Sequence, residues 1–377
     1  MRRRQIRRRR GVALGILALA VAIPVLKAVT GGSADGSGTA QGVVPVAPLE
    51  RSIRVAAVGD TVMGSRPYGL PPDGGRTLFV AVKPLLRGDV VLGNLEGTLS
   101  TGGTSKCGPT PGPNCFAFRM PPAFRQRLRE AGFTVMSVAN NHADDFGAIG
   151  RRQTRENLVR AGIRGTGWPG SIAYQPVAGG KVAVLGFAPN DVSNSMLDIA
   201  GARVLVAKAA AKAPVVIVTV HAGAEGARAD HVRRGIETFL GENRGDSLRF
   251  AHAVVDAGAD LVVMHGPHVM RGIEFYKGAP IAYSMGNFMG YAVFSLSGNK
   301  KQSAVLDVEL GPDGAFVKGR LHPITLVGKG VPRPGGTAVS RVRTLSVQDF
   351  GKNAAVITPD GAIAPPGTPA GSAPPTP

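Results

Sequence analysis

Cysteine is nearly absent from this chain, which has only two among its 377 residues. So few cysteines exclude a disulfide-dense scaffold and any zinc or iron–sulfur site built on cysteine. Aromatic residues make up only 5% of the chain, whereas glycine and proline number 53 and 29. No Gly-X-Y period accompanies them, so the chain is not collagen-like. Hydrophobic residues, at 44%, supply ample material for a core and exclude a fully disordered protein.

Acidic residues are scarce, and none occurs before Asp35. The formal net charge is +19, and much of it comes from seven arginines in the first ten residues together with Lys27. The rest of the chain is moderately basic, which suits a polyanion or an anionic cell surface, or is ordinary surface charge. Because neither zinc-finger spacing nor an RNP-type motif is present, we expect no nucleic-acid binding.

The N-terminal arginines precede an uncharged apolar stretch that runs from Gly11 to Leu26. This order is typical of a secretory signal or a signal anchor. The positive-inside rule places the arginines in the cytoplasm and everything after residue 30 outside it. We therefore predict a single-pass membrane segment within residues 1–30 and a body outside the cytoplasm. Cleavage after a small residue such as Ala22 or Ala28 would instead make the protein secreted.

Composition divides the remaining chain into three parts. Residues 31–51 begin with the run GGSADGSGTAQG, which is typical of a flexible linker. Residues 52–364 form the globular body, and residues 365–377 form a Pro-rich tail that we expect to be disordered. Within the body, Cys107 and Cys115 flank a loop rich in glycine and proline. Outside the cytoplasm such a pair would form a disulfide.

The body alternates short apolar runs with helical periods, a pattern that predicts a wound α/β sheet. The predicted strands are 53–58, 90–92, 134–138, 182–185, 215–220 and 261–264, and the predicted helices are 123–131, 148–161, 231–241 and 247–257. After residue 280 the pattern changes to strands and a hairpin around the GPDG turn at 311–314. This change predicts a second, mainly antiparallel layer, followed by a helix at 340–350.

Polar residues that can bind a metal end five of the predicted strands. They are Asp60, Glu96, Asn141 with His142, His221, and His265. Because the carboxyl ends of strands in a wound sheet face one crevice, we expect these side chains to meet there. Carboxylate, amide oxygen and imidazole together bind divalent metals such as Mn²⁺, Fe²⁺ or Zn²⁺.

Taken alone, each of these residues has a simpler interpretation. Asp60 would be a turn residue and His221 a core histidine, while His265 and His268 flank a tight Gly-Pro turn. Glu225 is either a solvated loop charge or a partner that orients a ligating histidine. Asp144 and Asp145 either support the site or cap the following helix. Considered together, the residues favour a metal site, with His142 as a general acid beside it.

In their order along the chain, the motifs resemble those of the CapA family of poly-γ-glutamate capsule biosynthesis proteins. The domain of that family is similar to the calcineurin-like metallophosphoesterases. The motifs are GD at 59–60, GNLE at 93–96, ANNHADDFG at 139–147, HAGAE at 221–225, HGPHV at 265–269 and YSMGNF at 283–288. The order and number of these motifs make the resemblance specific, and it extends over the body of the chain.

The resemblance implies a four-layer α-β-β-α sandwich of the metallo-dependent phosphatase type, with one or two Mn, Zn or Fe ions at the strand ends. The implied metal ligands are Asp60, Glu96, Asn141, His221, His265 and His268, with His142 as the general acid. The implied supporting or substrate-binding residues are Asn94, Asn140, Glu225 and Asn287. One departure is that Thr61-Val62 follows Asp60 where the phosphoesterase pattern has a histidine ligand.

The resemblance further implies a membrane-tethered protein that handles an anionic envelope polymer such as poly-γ-glutamate, together with other capsule synthesis proteins. The implied reaction is metal-assisted hydrolysis or transfer at an amide or phosphoester bond. Two alternatives stay open. One is a non-catalytic component of a membrane-bound synthesis or export assembly, and the other is a general extracellular metallophosphoesterase.

Overall fold

Two β-sheets packed face to face form the centre of the computed structural model, which describes residues 46–110 and 112–369. The predicted membrane segment at 1–30, most of the predicted linker, and residues 370–377 of the predicted tail lie outside the described residues. None of the helices in the described ranges combines the length and the hydropathy that a membrane span requires.

The strands are numbered in chain order. The first ten are β1 (Ile53–Val62), β2 (Val90–Leu95), β3 (Thr98–Leu99), β4 (Arg119–Met120), β5 (Val135–Ser137), β6 (Arg164–Thr166), β7 (Ala173–Val177), β8 (Gly180–Phe187), β9 (Val215–His221) and β10 (Thr238–Phe239). The others are β11 (Glu242–Asn243), β12 (Leu261–His265), β13 (Ile273–Tyr276), β14 (Ala279–Ala282), β15 (Asn287–Gly290), β16 (Gln302–Leu310), β17 (Phe316–Val327), β18 (Val331–Pro334), β19 (Val356–Ile357) and β20 (Ala362–Ala364).

The α-helices are α1 (Arg125–Ala131), α2 (Gly147–Arg160), α3 (Ile199–Ala210), α4 (Ser247–Val255) and α5 (Ala338–Phe350). Four of them match predicted helices, whereas α3 has no counterpart in the sequence prediction. The predicted helix at 231–241 is wrong, because this segment leads into the two-stranded hairpin of β10 and β11. Gly235 and Gly241 adopt φ angles of 90° and 80° there, which a right-handed helix does not allow.

The first sheet has the strand order β19-β20-β17-β16-β1-β2-β5-β6, with β15 also paired to β1 and β18 to β17. Strands β1, β2, β5 and β6 are parallel, and β16 and β17 join antiparallel on the other side of β1. The hairpin after residue 280 therefore extends the first sheet, and its prediction as a separate layer is wrong. The second sheet, ordered β13-β14-β12-β9-β8-β7, lies earlier in the chain.

Three hydrophobic clusters alternate with the two sheets. Val55 of β1 and Ile217 of β9 belong to the cluster between the sheets. Side chains alternate across a strand, so the next residue of β1, Ala56, faces a second cluster that includes Leu158 of α2. The outer face of the second sheet packs on α3 through Val206 and on α4 through Phe250. The layers are thus helices, sheet, sheet and helices, and the predicted mixed α/β fold is confirmed.

The register of the paired strands places polar residues of the site next to one another. Asp60 lies opposite Asn94 of β2 and Asn287 of β15, and the register of β1 shifts on both sides of Asp60. In the second sheet His221 lies opposite His265. Because β1, β2, β9 and β12 end at the same side of the molecule, both sheets contribute side chains to one crevice.

Candidate metal centre

Asp60 lies at the centre of the crevice, fully buried. Its Oδ1 accepts a hydrogen bond of 2.7 Å from Asn94 Nδ2 and lies 3.6 Å from His221 Nδ1. Its Oδ2 lies 3.2 Å from His268 Nδ1. Burial alone would raise the pKa of Asp60, but the two histidines outweigh burial and hold the pKa well below its ordinary value. Asp60 is therefore an anion at neutral pH.

Glu96 is also fully buried, and neither of its carboxylate oxygens accepts a hydrogen bond from any residue in the described ranges. Its Oε1 lies 3.6 Å from His268 Nε2 and 4.0 Å from His142 Nε2. Burial raises the pKa of Glu96 well above its ordinary value, and the charges of Asp60 and Glu225 raise it further. A carboxyl group with a raised pKa tends to take up a proton, and a metal ion held by Asp60, Glu96 and His268 would keep it ionised instead.

His268 lies close to the carboxyl groups of both Asp60 and Glu96. Its backbone has a φ angle of 58°, a left-handed conformation that is unusual outside glycine and that occurs at functional sites. Asn287 Oδ1 lies 2.7 Å from its Nδ1. Burial would lower the pKa of His268, but the charges of Glu96, Asp60 and Glu225 and the hydrogen bond with Asp60 raise it to about 10. One atom each of Asp60, Glu96 and His268 lie within 4.8 Å of one another, close enough to share an ion.

His221 and His265 are neighbours in register, but different ring nitrogens of the two residues make their polar contacts. The Nδ1 of His221 faces Asp60 and lies 3.2 Å from Asn94 Nδ2, and its buried Nε2 has no hydrogen-bond partner in the part of the chain that the structure describes. The Nε2 of His265 lies 2.8 Å from Thr219 Oγ1. Burial lowers the pKa of His265 to about 4. The buried Nδ1 of His265, like Nε2 of His221, has no hydrogen-bond partner among the described residues, so each ring keeps one nitrogen free to bind an ion.

The remaining predicted residues surround this group. Asn141 donates from Nδ2 to Glu225 Oε1 at 3.4 Å, while its buried Oδ1 has no partner among the described residues. Glu225 Oε2 lies 3.6 Å from His268 Nε2. Asn140 donates to Asn94 Oδ1 at 3.1 Å and so fixes the amide that binds Asp60. These contacts place Asn141 and Glu225 at the crevice and Asn94 and Asn140 behind it.

His142 presents its Nε2 to the crevice and turns its Nδ1 to Asp145, whose Oδ2 lies 2.8 Å away. Burial lowers the pKa of His142. Asp145 is completely buried. The sequence left its role open between a cap and a support, and the contact with His142 shows that it orients the imidazole.

Arg244 is a residue of the site that the sequence prediction missed. It is buried, and its Nη2 donates to Glu225 Oε1 at 2.7 Å. It lies between β11 and α4, just beyond the segment 231–241 that was predicted to be a helix, and no motif marks it. Separately, Cys107 and Cys115 form a disulfide with an S–S distance of 2.07 Å.

The donor set fits a divalent metal ion. One atom each of two carboxylates and an imidazole lie close enough to bind one ion. Four further buried atoms of the predicted ligands lack partners among the described residues: a second Glu96 oxygen, His221 Nε2, His265 Nδ1 and Asn141 Oδ1. Oxygen and nitrogen donors of this kind suit Mn²⁺, Fe²⁺ or Zn²⁺. Unpartnered polar atoms in a protein interior are rare, so their clustering here is itself evidence for a bound cation.

Comparison with known proteins identifies relatives in capsule biosynthesis. The chain is 31% identical to the capsule biosynthesis protein CapA of Bacillus anthracis over 238 residues, which are 57% of this chain and 53% of that protein. It is 33% identical to the PGA biosynthesis protein CapA of Bacillus subtilis over 181 residues, or 43% of this chain and 44% of that one. The chain thus spans about half the length of these curated relatives.

Among solved structures, the chain is similar to a 5'-nucleotidase precursor from Thermus thermophilus, with a TM-score of 0.43 and 14% identity over 73% of this chain and 54% of that one. The profile of the family described as "Bacterial capsule synthesis protein PGA_cap" matches residues 54–292. This match spans both sheets up to β15 and includes every residue of the crevice. The family expected from the sequence motifs is confirmed: the chain belongs to the bacterial capsule synthesis protein PGA_cap family.

Proposed function

We propose that this protein acts in the synthesis of an anionic capsule polymer, poly-γ-glutamate, and that its crevice is a metal-dependent hydrolase or transferase site of the metallo-dependent phosphatase type. The observation that carries this proposal is the Glu96 carboxylate, which is buried without a hydrogen-bond donor among the described residues beside Asp60 and His268. A metal ion held by these three side chains would keep the Glu96 carboxylate ionised without a hydrogen-bond donor.

Asp60, Glu96 and His268 would hold the ion. The unpartnered donors that would complete the coordination are His221 Nε2, His265 Nδ1 and Asn141 Oδ1. When bound, a divalent ion at this place polarises a carbonyl or phosphoryl oxygen and makes a water molecule more acidic. Asn94 keeps Asp60 oriented through its 2.7 Å hydrogen bond, and Asn287 does the same for His268. Such orienting contacts typically matter tenfold to a hundredfold for metal affinity.

His142 is the proton-transfer group of the proposed reaction. Asp145 holds the Nδ1 side of the ring, so Nε2 is the atom free to exchange a proton in the crevice. The negative charge of Asp145 stabilises the imidazolium that would protonate a leaving amine or alcohol. The stacked ring of Phe118, whose centroid is 4.2 Å from that of His142, keeps water off one face of the imidazole.

The proposal also includes the location of the protein in the cell. The arginine-rich N-terminus and its apolar stretch support attachment to the cell membrane with the body outside, or secretion after cleavage. The disulfide between Cys107 and Cys115 supports an oxidising compartment. Residues 28–377 carry a formal net charge of +11, which supports attraction of the body to an anionic polymer.

A second candidate is a non-catalytic role in a membrane-bound synthesis or export assembly, with other capsule synthesis proteins as partners. It is favoured by Thr61-Val62 after Asp60, where the phosphoesterase pattern has a histidine ligand, so the site has one donor fewer than that pattern. In that case the ion would be structural or would bind the carboxylates of the polymer, and His142 would be dispensable.

The two candidates are separated by hydrolysis of γ-glutamyl amides and of p-nitrophenyl phosphate by the full-length protein supplied with Mn²⁺ or Zn²⁺. The catalytic role predicts turnover that His142→Ala lowers by about a hundredfold or more. His231→Ala is the matched control, because His231 is exposed and pairs with Asp349 away from the crevice. Metal-loaded protein without turnover on either substrate class would contradict the catalytic role and leave the assembly role.

A further inference from the structure

The loop closed by the disulfide contacts the His142–Asp145 pair at both of its ends. Lys106 directly precedes Cys107, and Phe118 follows Cys115 by three residues. The proposed function uses the Phe118 ring and the disulfide of this region but gives no role to Lys106. The two flanks of the loop reach the buried side of the imidazole, opposite the crevice.

Lys106 makes three contacts on one flank. Its Nζ lies 2.7 Å from Asp145 Oδ1 and donates to the carbonyl oxygen of Asn141 at 3.2 Å. Its backbone N–H donates to the carbonyl oxygen of Asp145 at 2.8 Å. The Lys106 side chain is 36% exposed while that of Asp145 is 0% exposed, so the ammonium lies at the rim and its partner in the interior.

Phe118 makes the contacts on the other flank. Its backbone N–H donates to Asp145 Oδ2, the same oxygen that faces His142 Nδ1. Its ring stacks on the imidazole of His142 at 26° between planes. The two flanks therefore hold both oxygens of one carboxylate, Lys106 on Oδ1 and Phe118 on Oδ2.

This arrangement fixes Asp145 more tightly than a single contact would. A buried carboxylate that loses one charged partner tends to rotate or to take up a proton, and breaking a buried pair is costly. The disulfide joins residues only eight apart in sequence, and it limits how far the two flanks can separate. The charge of Lys106 and the covalent link thus act on the same group.

We infer that Lys106 is a positioning residue that acts on His142 through Asp145. The contacts of Lys106 and Phe118 with the Asp145 carboxylate form a clamp, and the Cys107–Cys115 bond holds both of its flanks in place. The clamp is a property of the fold. The statement that the clamp prepares His142 for proton transfer rests on the proposed function. A protein that lacks the bond or the lysine keeps its metal ligands but holds the imidazole loosely.

The test is the hydrogen exchange of the His142 Nδ1 proton in the full-length protein, measured by NMR with ¹⁵N-labelled histidine. His142→Asn identifies the signal by its disappearance. Because Asp145 loses the cation beside its Oδ1 and holds the ring less firmly, Lys106→Met should speed this exchange by about tenfold or more. Cys107→Ser/Cys115→Ser should act in the same direction, and Lys106→Arg, which keeps the charge, should restore slow exchange.

Lys277→Met is the matched control, since Lys277 Nζ forms an ion pair of 2.6 Å with Asp256 on an exposed surface. It should leave the His142 signal unchanged. Circular dichroism on each variant separates a loosened clamp from a protein that has not folded. Unchanged exchange in folded Lys106→Met, or in the folded double serine variant, would overturn the inference. Neither result would bear on the proposed function, which the hydrolysis assay tests separately.

Discussion

The Oδ2 atom of Asp60 lies 3.2 Å from the Nδ1 atom of His268, although the two residues come from different sheets. Asp60 is near the end of β1 in the first sheet, and His268 follows β12 of the second. The carboxyl ends of both sets of parallel strands meet here, which is where wound sheets bind ligands. The contact therefore depends on how the two sheets face each other, and the predictions below test what holds it in place.

Gly59→Ala should disturb the crevice directly. A Cβ at this position would lie 1.9 Å from the carbonyl oxygen of Gly286, the same oxygen that accepts the hydrogen bond of Asp60 N–H. We expect a loss of about 1–3 kcal/mol in the free energy of unfolding, measured by urea titration, together with weaker metal binding. Gly112→Ala is the control, because nothing lies within 4 Å of its added Cβ. Equal stability of the two variants would refute this role for Gly59.

The ion pair of Arg271 with Glu237 stabilises the loop that carries Glu225. Two hydrogen bonds of 2.9 and 2.7 Å join these buried side chains. Arg271→Met leaves the Glu237 carboxylate buried without its cation, so unfolding should need about 3–5 kcal/mol less free energy. Lys277→Met breaks an exposed pair and should change the free energy by about 1 kcal/mol or less. Thermal and urea unfolding of both variants would check the contrast, and similar losses in the two would count against it.

Asp260 should make stability depend on pH. Burial raises the pKa of this carboxyl to about 7, with a smaller contribution from the charge of Asp313, although the N–H of Val216 at 2.7 Å opposes the rise. The folded protein then binds more protons than the unfolded chain between about pH 4 and pH 7, so this group's contribution to stability falls as pH rises through that range.

Asp260→Asn keeps an acceptor for the N–H of Val216 and removes the charge. The variant should lose less stability than the parent between about pH 5 and about pH 8, measured as the urea midpoint at each pH. Asp73→Asn, at an exposed turn, supplies the control. If the parent and Asp260→Asn show the same pH dependence, the carboxyl is charged throughout and the account of its burial is wrong.

Local patterns were enough to predict the strands that end at the site, since β1, β2, β9 and β12 are apolar runs followed by polar residues. They also indicated that the residues at the strand ends would meet, because strand ends in a wound sheet share one edge. Those residues were Asp60, Glu96, Asn141 with His142, His221 and His265. Three features of the structure could not be predicted from the sequence. The sheet to which β16 and β17 belong is decided by long-range pairing with β1, and local periodicity carries no trace of it.

The side-chain direction of His265 was the second. It ends a strand just as His221 does, but its Nε2 contacts Thr219 and its buried Nδ1 is the nitrogen without a partner among the described residues. Only the packing between strands decides which ring nitrogen is left free. The third was the support behind His142. Lys106 and Phe118 reach Asp145 from a loop whose sequence shows only glycine, proline and two cysteines. Contacts made by irregular segments depend on the whole fold, so they cannot be read from spacing.

The central claim is that the crevice binds a divalent metal through Glu96, and the most direct test is the metal content of the full-length protein purified without chelator. The parent should hold one or two Mn, Zn or Fe ions per chain. Glu96→Gln should bind Mn²⁺ about a hundredfold more weakly by calorimetry. Glu130→Gln, an exposed substitution, should not differ from the parent. A metal-free parent that cannot be loaded with Mn²⁺ or Zn²⁺, or a Glu96→Gln variant that keeps its metal, would contradict the claim.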